Sequence, residues 1–354
     1  MRSFCARPAA RKRARILTTR KPVSGGPADT AGSWSQAPAP RRAQIPPREH
    51  PVPKIDVTFD SASVRLAGHL YVPAEADGPS PAVIVGHPGS GVKEQAAGLY
   101  AARLAERGFV TLAFDAAFQG ESGGEPRGLE DPAQRVEDFK AAVSFLTTRS
   151  EVDAGRIGEL GICASGGYVL SATGSDRRVK AVATVSGADI ARQFRLGADG
   201  AQDPAVFEGM LGAAAHARTV AAAGEKPAPL TLFPETVEQA RALGGEHGAE
   251  GFEYYRTARG HHPRSAEFFD WTSVDKFATF DAFAAVPLIG PRPLLMIVGT
   301  RAITAWMSVE AFLKATGPKE LHHVEGASHV DLYDKERYVG PAVDKLAGFF
   351  TESL

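Results

Sequence analysis

Arg156-Ile157-Gly158-Glu159-Leu160-Gly161-Ile162-Cys163-Ala164-Ser165-Gly166-Gly167 is the stretch of this chain that indicates its fold most clearly. The first seven residues are typical of a buried strand, and a helix is predicted to run through residues 168–170. Small residues surround Cys163 at the turn between these elements. Such a turn holds a nucleophile in a strained, exposed position that a substrate carbonyl can approach. The stretch therefore predicts covalent acyl chemistry at Cys163.

Ser165 is the alternative nucleophile, because residues 163–167 also match a small-x-Ser-x-Gly pattern. Counting from the start of the strand, however, the turn falls at Cys163, and Ser165 falls within the helix. A third interpretation is that Cys163 is an inert core cysteine. Glycines on both sides favour the nucleophile. The helix N-terminus and a nearby histidine are expected to lower the pKa of its thiol.

Strand-like and helix-like segments alternate on both sides of this stretch. An initial β-hairpin is predicted at residues 54–60 and 64–72, and further strands are predicted at residues 81–86, 109–114, 156–162, 179–185, 294–298 and 321–324. This alternation predicts an α/β fold, a doubly wound and mostly parallel sheet with helices on both faces. Functional groups in such folds collect at the carboxyl ends of the strands.

Residues 190–289 are too many for a loop in a compact domain and contain three helical signals, near residues 204–211, 237–243 and 274–283. We predict a helical cap at 190–289, inserted into a core of residues 51–189 and 290–354. The cap contains a cluster of aromatic residues, which are Phe252, Tyr254, Tyr255, Phe268, Phe269 and Trp271. These aromatics are expected to pack the cap itself or, alternatively, to line an apolar acyl pocket.

Residues 1–50 form an extension that is rich in arginine, proline and alanine and is predicted to be disordered. An organelle transit peptide and an untargeted tail both fit this composition, and a cytoplasmic location is predicted. The formal net charge of −1 gives no indication of a nucleic-acid partner, and no apolar run is long enough to span a membrane. The expected partner is a small-molecule acyl substrate, with no cofactor and no metal.

His329 is the predicted general base, because it ends a small-residue loop after the last predicted strand. No carboxylate follows the preceding strand, where the acid that orients such a histidine is expected. Asp189, after the strand at 179–185, is therefore the candidate acid, and a helix N-cap is its alternative role. The other histidines are weaker candidates for the base. His322 and His323 lie within a predicted strand, and the histidines at 261–262 lie in the cap without the spacing of a zinc site.

The backbone amides of Gly89 and Ala164 are the predicted oxyanion hole. Gly89 follows the strand at 81–86, and Pro88 beside it has no N–H to donate. The same loop superficially resembles a phosphate-binding loop. It lacks the Gly-Lys-Ser/Thr ending, which argues against an NTPase.

The chain resembles α/β hydrolases of the dienelactone-hydrolase-like kind, including a branch of polyketide acyltransferases of secondary metabolism. The resemblance covers about residues 54–354 and lies in residues 86–89, 92–95, 161–167, 254–265 and 326–334. It implies a nucleophile at Cys163 and a base at His329, with Ile303 standing where the family often has its acid. The implied activity is hydrolysis of an ester, thioester or lactone, or transfer of a polyketide-type acyl group. The alternative of another class is a binding protein of the same fold without catalysis.

Overall fold

The computed structural model describes residues 52–74 and 78–354 of the chain. The predicted disordered extension at residues 1–50 lies outside this part. An eight-stranded sheet forms the centre of the molecule. Its strands are β1 Lys54–Ser61, β2 Val64–Tyr71, β3 Ser80–Gly86, β4 Val110–Phe114, β5 Val152–Ile162, β6 Val179–Val185, β9 Leu294–Gly299 and β10 Lys319–Val324. Their spatial order is β1-β2-β4-β3-β5-β6-β9-β10.

The sheet is parallel from β4 to β10, whereas β1 and β2 form an antiparallel hairpin that joins it at β4. The predicted doubly wound, mostly parallel sheet is therefore confirmed. From β3 the chain adds β4 on one side and then β5 on the other, so the winding reverses at β3. Ligands of open α/β sheets bind beyond the carboxyl ends of the strands at such a reversal.

Helices cover both faces of the sheet, because the residues of each central strand alternate between two hydrophobic clusters. In β3, Ile84 packs into the cluster that contains Phe139, while Val83 and Val85 pack into the cluster that contains Phe350. The helices are α1 Ala96–Ala105, α2 Pro132–Leu146, α3 Ser165–Ser175, α4 Ile190–Leu196, α5 Pro204–Ala222, α6 Val237–Arg256, α7 Thr272–Thr279, α8 Ala305–Lys314, α9 Asp331–Asp334 and α10 Glu336–Ser353. None of these helices is long and apolar enough to cross a membrane.

The interval predicted as a helical cap contains α4 to α7, a 3₁₀ helix at Ala282–Leu288, and a short ribbon of β7 Leu230–Thr231 and β8 Phe268–Phe269. Helices α5, α6 and α7 agree with the three predicted signals, whereas α4 and the ribbon have no counterpart in the prediction. Helix α6 is kinked at Gly244 and Gly245, whose backbone angles are non-helical. The limits of the cap as a domain remain a prediction.

Candidate active site

Cys163 lies at the sharp turn between β5 and α3, with a φ of +54° that is rare for a residue with a side chain. Close packing explains the glycines around it. A Cβ atom on Gly161 would lie 2.2 Å from the carbonyl oxygen of Ser165, and one on Gly166 would lie 2.5 Å from the Cα atom of Gly187. The predicted strand–turn–helix junction is thus present, with a strained cysteine at its tip.

The backbone amides of Gly89 and Ala164 lie beside the sulfur of Cys163 and act to lower the pKa of its thiol. Gly89 belongs to the loop after β3, and Ala164 follows Cys163 directly, so the two predicted oxyanion donors come from two different segments of the chain. Ser90 adopts a φ of +57° in this loop. Its carbonyl oxygen accepts a 2.8 Å hydrogen bond from Ser265 Oγ, which ties the loop to the segment 190–289. The arrangement can stabilise negative charge beside Sγ.

Ser165 is the first residue of α3 and is fully buried. Its Oγ donates to the carbonyl oxygen of His87 at 2.5 Å and accepts from Arg135 Nη2 at 3.0 Å. The hydroxyl is therefore committed to holding the loop after β3 and does not line the cavity over Cys163. Ser165 thus lies within the helix, where the length of the strand predicts it, and the identity of the nucleophile stays a prediction.

A buried polar network beneath the turn centres on Arg135, whose side chain is only 3% exposed. Its guanidinium donates to His87 Nε2 at 2.9 Å and lies 3.4 Å from the carboxylate of Glu130. Tyr168 Oη also donates to that carboxylate, at 2.8 Å. Burial, followed by the charge of Arg135, holds the pKa of His87 well below its usual range. The network fixes the loop that carries Gly89. The sequence alone does not reveal this network, because Arg135 and Glu130 fit the ordinary pattern of a helix and the residues that precede it.

His329 lies in the loop between β10 and α9 and is 1% exposed. Its Nδ1 is 2.5 Å from Thr304 Oγ1, and its Nε2 is 3.0 Å from Tyr333 Oη. The ring of His247, from α6, meets the imidazole edge-on with ring centroids 5.0 Å apart. The imidazole is thus fixed on both nitrogens.

Tyr333 lies next to both the thiol and the imidazole. Its hydroxyl is 3.0 Å from His329 Nε2, and it lies close enough to Cys163 to affect the pKa of the thiol. The short helix α9, which carries Tyr333, is anchored by Arg259 of the segment 190–289. The guanidinium of Arg259 binds both carboxylate oxygens of Asp334, at 2.8 and 2.7 Å, and the carbonyl oxygen of Val330 at 3.1 Å.

The structure does not bring Asp189 to His329, so that part of the prediction is wrong. One carboxylate oxygen of Asp189 accepts from the amides of Ala191 and Arg192 at the start of α4, and the other accepts from Ala282 at 3.1 Å. Asp189 is therefore the helix N-cap that was its alternative role. The partner of His329 is instead Thr304, next to Ile303, whose own side chain is exposed.

The pKa of the Cys163 thiol is raised, which is opposite to the expected direction. Burial is the largest cause, and the neighbouring Tyr333 hydroxyl and the two amides only partly offset it. Burial and then the neighbouring His247 hold the pKa of His329 well below its ordinary value of 6.5. The resting site therefore contains a thiol and a neutral imidazole, which favours removal of the proton during the reaction over a preformed ion pair.

A cavity of about 310 Å³ opens above Cys163. Core residues form its floor and the segment 190–289 forms its walls; the lining consists of Gly89, Ser90, Cys163, Ile190, Gln193, Phe194, Leu232, Phe233, Pro234, Ala240, Leu243, Gly244, His247, Gly248, Gly251, Tyr255, Phe269, His329, Val330 and Tyr333. Of the six aromatics in the predicted cluster, Tyr255 and Phe269 line the cavity. The size suits a small acyl group.

Neither histidine pair forms part of the site. His322 and His323 lie within β10, as predicted. His261 and His262 border a second cavity of about 290 Å³, which Tyr333 separates from the first. Within residues 52–74 and 78–354, no group of three or more histidine, cysteine or acidic side chains is arranged to hold a metal ion.

The order of the sheet and the strained junction after β5 define the α/β-hydrolase class. Residues 66–208 match the family model described as "Dienelactone hydrolase family". The chain is 39% identical to "Uncharacterized protein YcjY" of Escherichia coli (strain K12) over 83% of its own length and 96% of that protein. We conclude that it belongs to the dienelactone hydrolase family and is an α/β-hydrolase-type ester or thioester hydrolase or acyltransferase.

Two further comparisons agree with this assignment. The crystal structure of the hypothetical protein PA2218 from Pseudomonas aeruginosa superposes with a TM-score of 0.80 and 38% sequence identity, over 87% of this chain and 96% of that one. The chain is also 30% identical to "Thiohydrolase apmlB" of Arthrinium phaeospermum, over 75% of its length and 86% of the relative. The family assignment therefore favours an enzyme over the alternative of a non-catalytic binding protein.

Proposed function

We propose that this enzyme transfers an acyl group through a thioester on Cys163, with His329 as the general base. The single observation that carries the proposal is the position of the amides of Gly89 and Ala164 beside a strained cysteine at the floor of a cavity. Two preorganised N–H donors at that point stabilise the oxyanion that forms when sulfur attacks a carbonyl carbon.

In the first half-reaction, Cys163 Sγ forms a bond to the substrate carbonyl carbon while its proton passes to the His329 side of the site. The carbonyl oxygen becomes an oxyanion held by the two amides. When the tetrahedral intermediate collapses, the bond to the leaving alcohol or thiol breaks and the imidazolium returns the proton to it. The acyl group is then a thioester on Cys163.

In the second half-reaction, water, an alcohol or an amine attacks the thioester carbon and gives its proton to His329. The bond to sulfur breaks, and the thiol regains its proton. Water as acceptor gives hydrolysis, and an alcohol or amine gives acyl transfer. A lining in which apolar side chains predominate supports a small-molecule substrate with a largely apolar acyl chain, and the name of the relative "Thiohydrolase apmlB" supports a thioester as the donor.

Intact-mass spectrometry with a panel of p-nitrophenyl esters and acyl-N-acetylcysteamine thioesters tests the nucleophile. The wild-type enzyme is expected to gain the mass of one acyl group, and Cys163→Ala is expected to gain none. Ser165→Ala keeps the sulfur and is the matched control, which should still acylate. An adduct that persists in Cys163→Ala and disappears in Ser165→Ala would refute the proposal. Product analysis with and without an added alcohol or amine then separates hydrolysis from transfer.

A further inference from the structure

Tyr333 is held in a fixed position between the two reacting groups. The side chain is 2% exposed, and its ring packs edge-on against Tyr254 with centroids 5.1 Å apart. Two anchors hold α9 from outside the site, the Arg259–Asp334 ion pair and a 2.8 Å hydrogen bond from Tyr100 Oη to the carbonyl oxygen of Leu332. The hydroxyl, which lies 3.0 Å from His329 Nε2 in the same cavity lining as Cys163, is therefore placed by the surrounding structure.

We propose that Tyr333 is a further catalytic residue, which relays the proton of Cys163 to His329. The inference rests on the proposed function and assigns the path by which the thiol is deprotonated. As sulfur attacks, the Sγ–H proton passes to Tyr333 Oη, and the phenolic proton passes to His329 Nε2. One S–H and one O–H bond break, one O–H and one N–H bond form, and the phenol ends neutral.

The hydrogen bonds around the imidazole suit this direction of transfer. A phenol donates one hydrogen bond and accepts another, so Tyr333 can accept from Sγ–H while it donates to Nε2. Nε2 accepts only in the tautomer with the proton on Nδ1, and Thr304 Oγ1 is in place to accept from that N–H. Because burial raises the pKa of Tyr333 well above 10, the residue stays a phenol between turnovers.

Alkylation of Cys163 by iodoacetamide, followed against pH, tests the relay without any substrate. Tyr333→Phe keeps the ring and removes the hydroxyl. Its alkylation rate at pH 7 is expected to fall at least ~10-fold, and its profile to shift to higher pH, because the thiol loses its connection to the base. Tyr338→Phe is the matched control, since the Tyr338 hydroxyl binds the carbonyl oxygen of Gly326, away from the cavity. Its profile should match that of the wild type.

A second variant keeps the test decisive if Tyr333→Phe does not fold. Replacement of Tyr333 by 3,5-difluorotyrosine preserves the hydroxyl and lowers the pKa of the phenol, so the profile should shift if protons pass through it. A role limited to packing would leave the profile in place. A wild-type profile in either folded variant would overturn the relay. The proposed function fails separately, if Cys163→Ala still forms the acyl-enzyme.

Discussion

Replacing Thr304 by valine gives the sharpest test of how His329 is oriented. Valine has the same shape but removes the oxygen that lies 2.5 Å from Nδ1, between residues that are 2% and 1% exposed. A buried N–H left without an acceptor costs about 1–3 kcal/mol. This cost falls on the tautomer that leaves Nε2 free to accept a proton. The opposite tautomer, which donates from Nε2 to Tyr333, is then favoured.

A shift of about 1–3 kcal/mol between tautomers lowers the fraction of competent base roughly 5- to 150-fold. We expect the single-turnover rate of Cys163 acylation, followed by intact mass, to fall by that factor in Thr304→Val. Thermal unfolding should show only a modest loss of stability, because one hydrogen bond is removed.

The matched control is Thr184→Val. Thr184 is equally buried, and its hydroxyl has no hydrogen-bond partner in the described part of the chain. The same substitution there should leave acylation unchanged and leave stability unchanged or slightly higher. If Thr304→Val acylates within about twofold of the wild-type rate, the assignment of Thr304 as the orienting residue is wrong.

The remaining predictions concern the pH profile, a buried acid and the turn. Because the pKa of His329 is held well below 6.5, the acylation rate should fall on the acidic side with a midpoint below pH 6.5, and a wild-type midpoint at or above pH 6.5 contradicts this. Thr304→Asp should raise that midpoint, because a carboxylate favours the imidazolium. Burial raises the pKa of Glu159 from 4.5 to about 8. The folded state therefore loses stability as the pH rises through that range, by about 5 kcal/mol at most, whereas Glu159→Gln does not. Denaturant unfolding of both proteins at pH 5 and pH 9 measures this difference, and an equal change in both would refute it. Gly161→Ala places a Cβ atom 2.2 Å from a backbone oxygen and should lower the free energy of unfolding by about 1–3 kcal/mol or more. Gly212 has open space around it in the middle of α5, so Gly212→Ala should raise the free energy of unfolding by up to about 1 kcal/mol. Thermal unfolding of both variants measures these changes.

The sequence predicts the sheet and the position of Cys163 well, because both depend on local patterns. Buried strands such as 179–185 are continuous apolar runs, and the strand–turn–helix junction needs small residues at fixed spacings. These requirements can be recognised in a single stretch without knowing what lies opposite in space.

The partners of His329 could not be found in this way. An aspartate between a strand and a helix fits both an orienting acid and an N-cap, and only the distances from Asp189 to its neighbours separate the two roles. Thr304 carries no charge and gives no signal of chemistry in the sequence. Tyr333 follows His329 by four residues, but His329 lies in the loop before α9, so this spacing does not by itself indicate that the two side chains meet. The raised pKa of Cys163 depends on burial by distant segments, which no local pattern reports.

The ion pair between Arg259 and Asp334 joins the segment that walls the cavity to the short helix that carries Tyr333. If protons pass through Tyr333 as proposed, a change in the segment that walls the cavity also moves the group that deprotonates Cys163. An attempt to graft the insertion of a relative, in order to change which acyl group is accepted, must keep both members of this pair. If either member is lost, we expect the Tyr333 hydroxyl to be displaced and the reaction to be slower, whichever acyl group the new segment accepts.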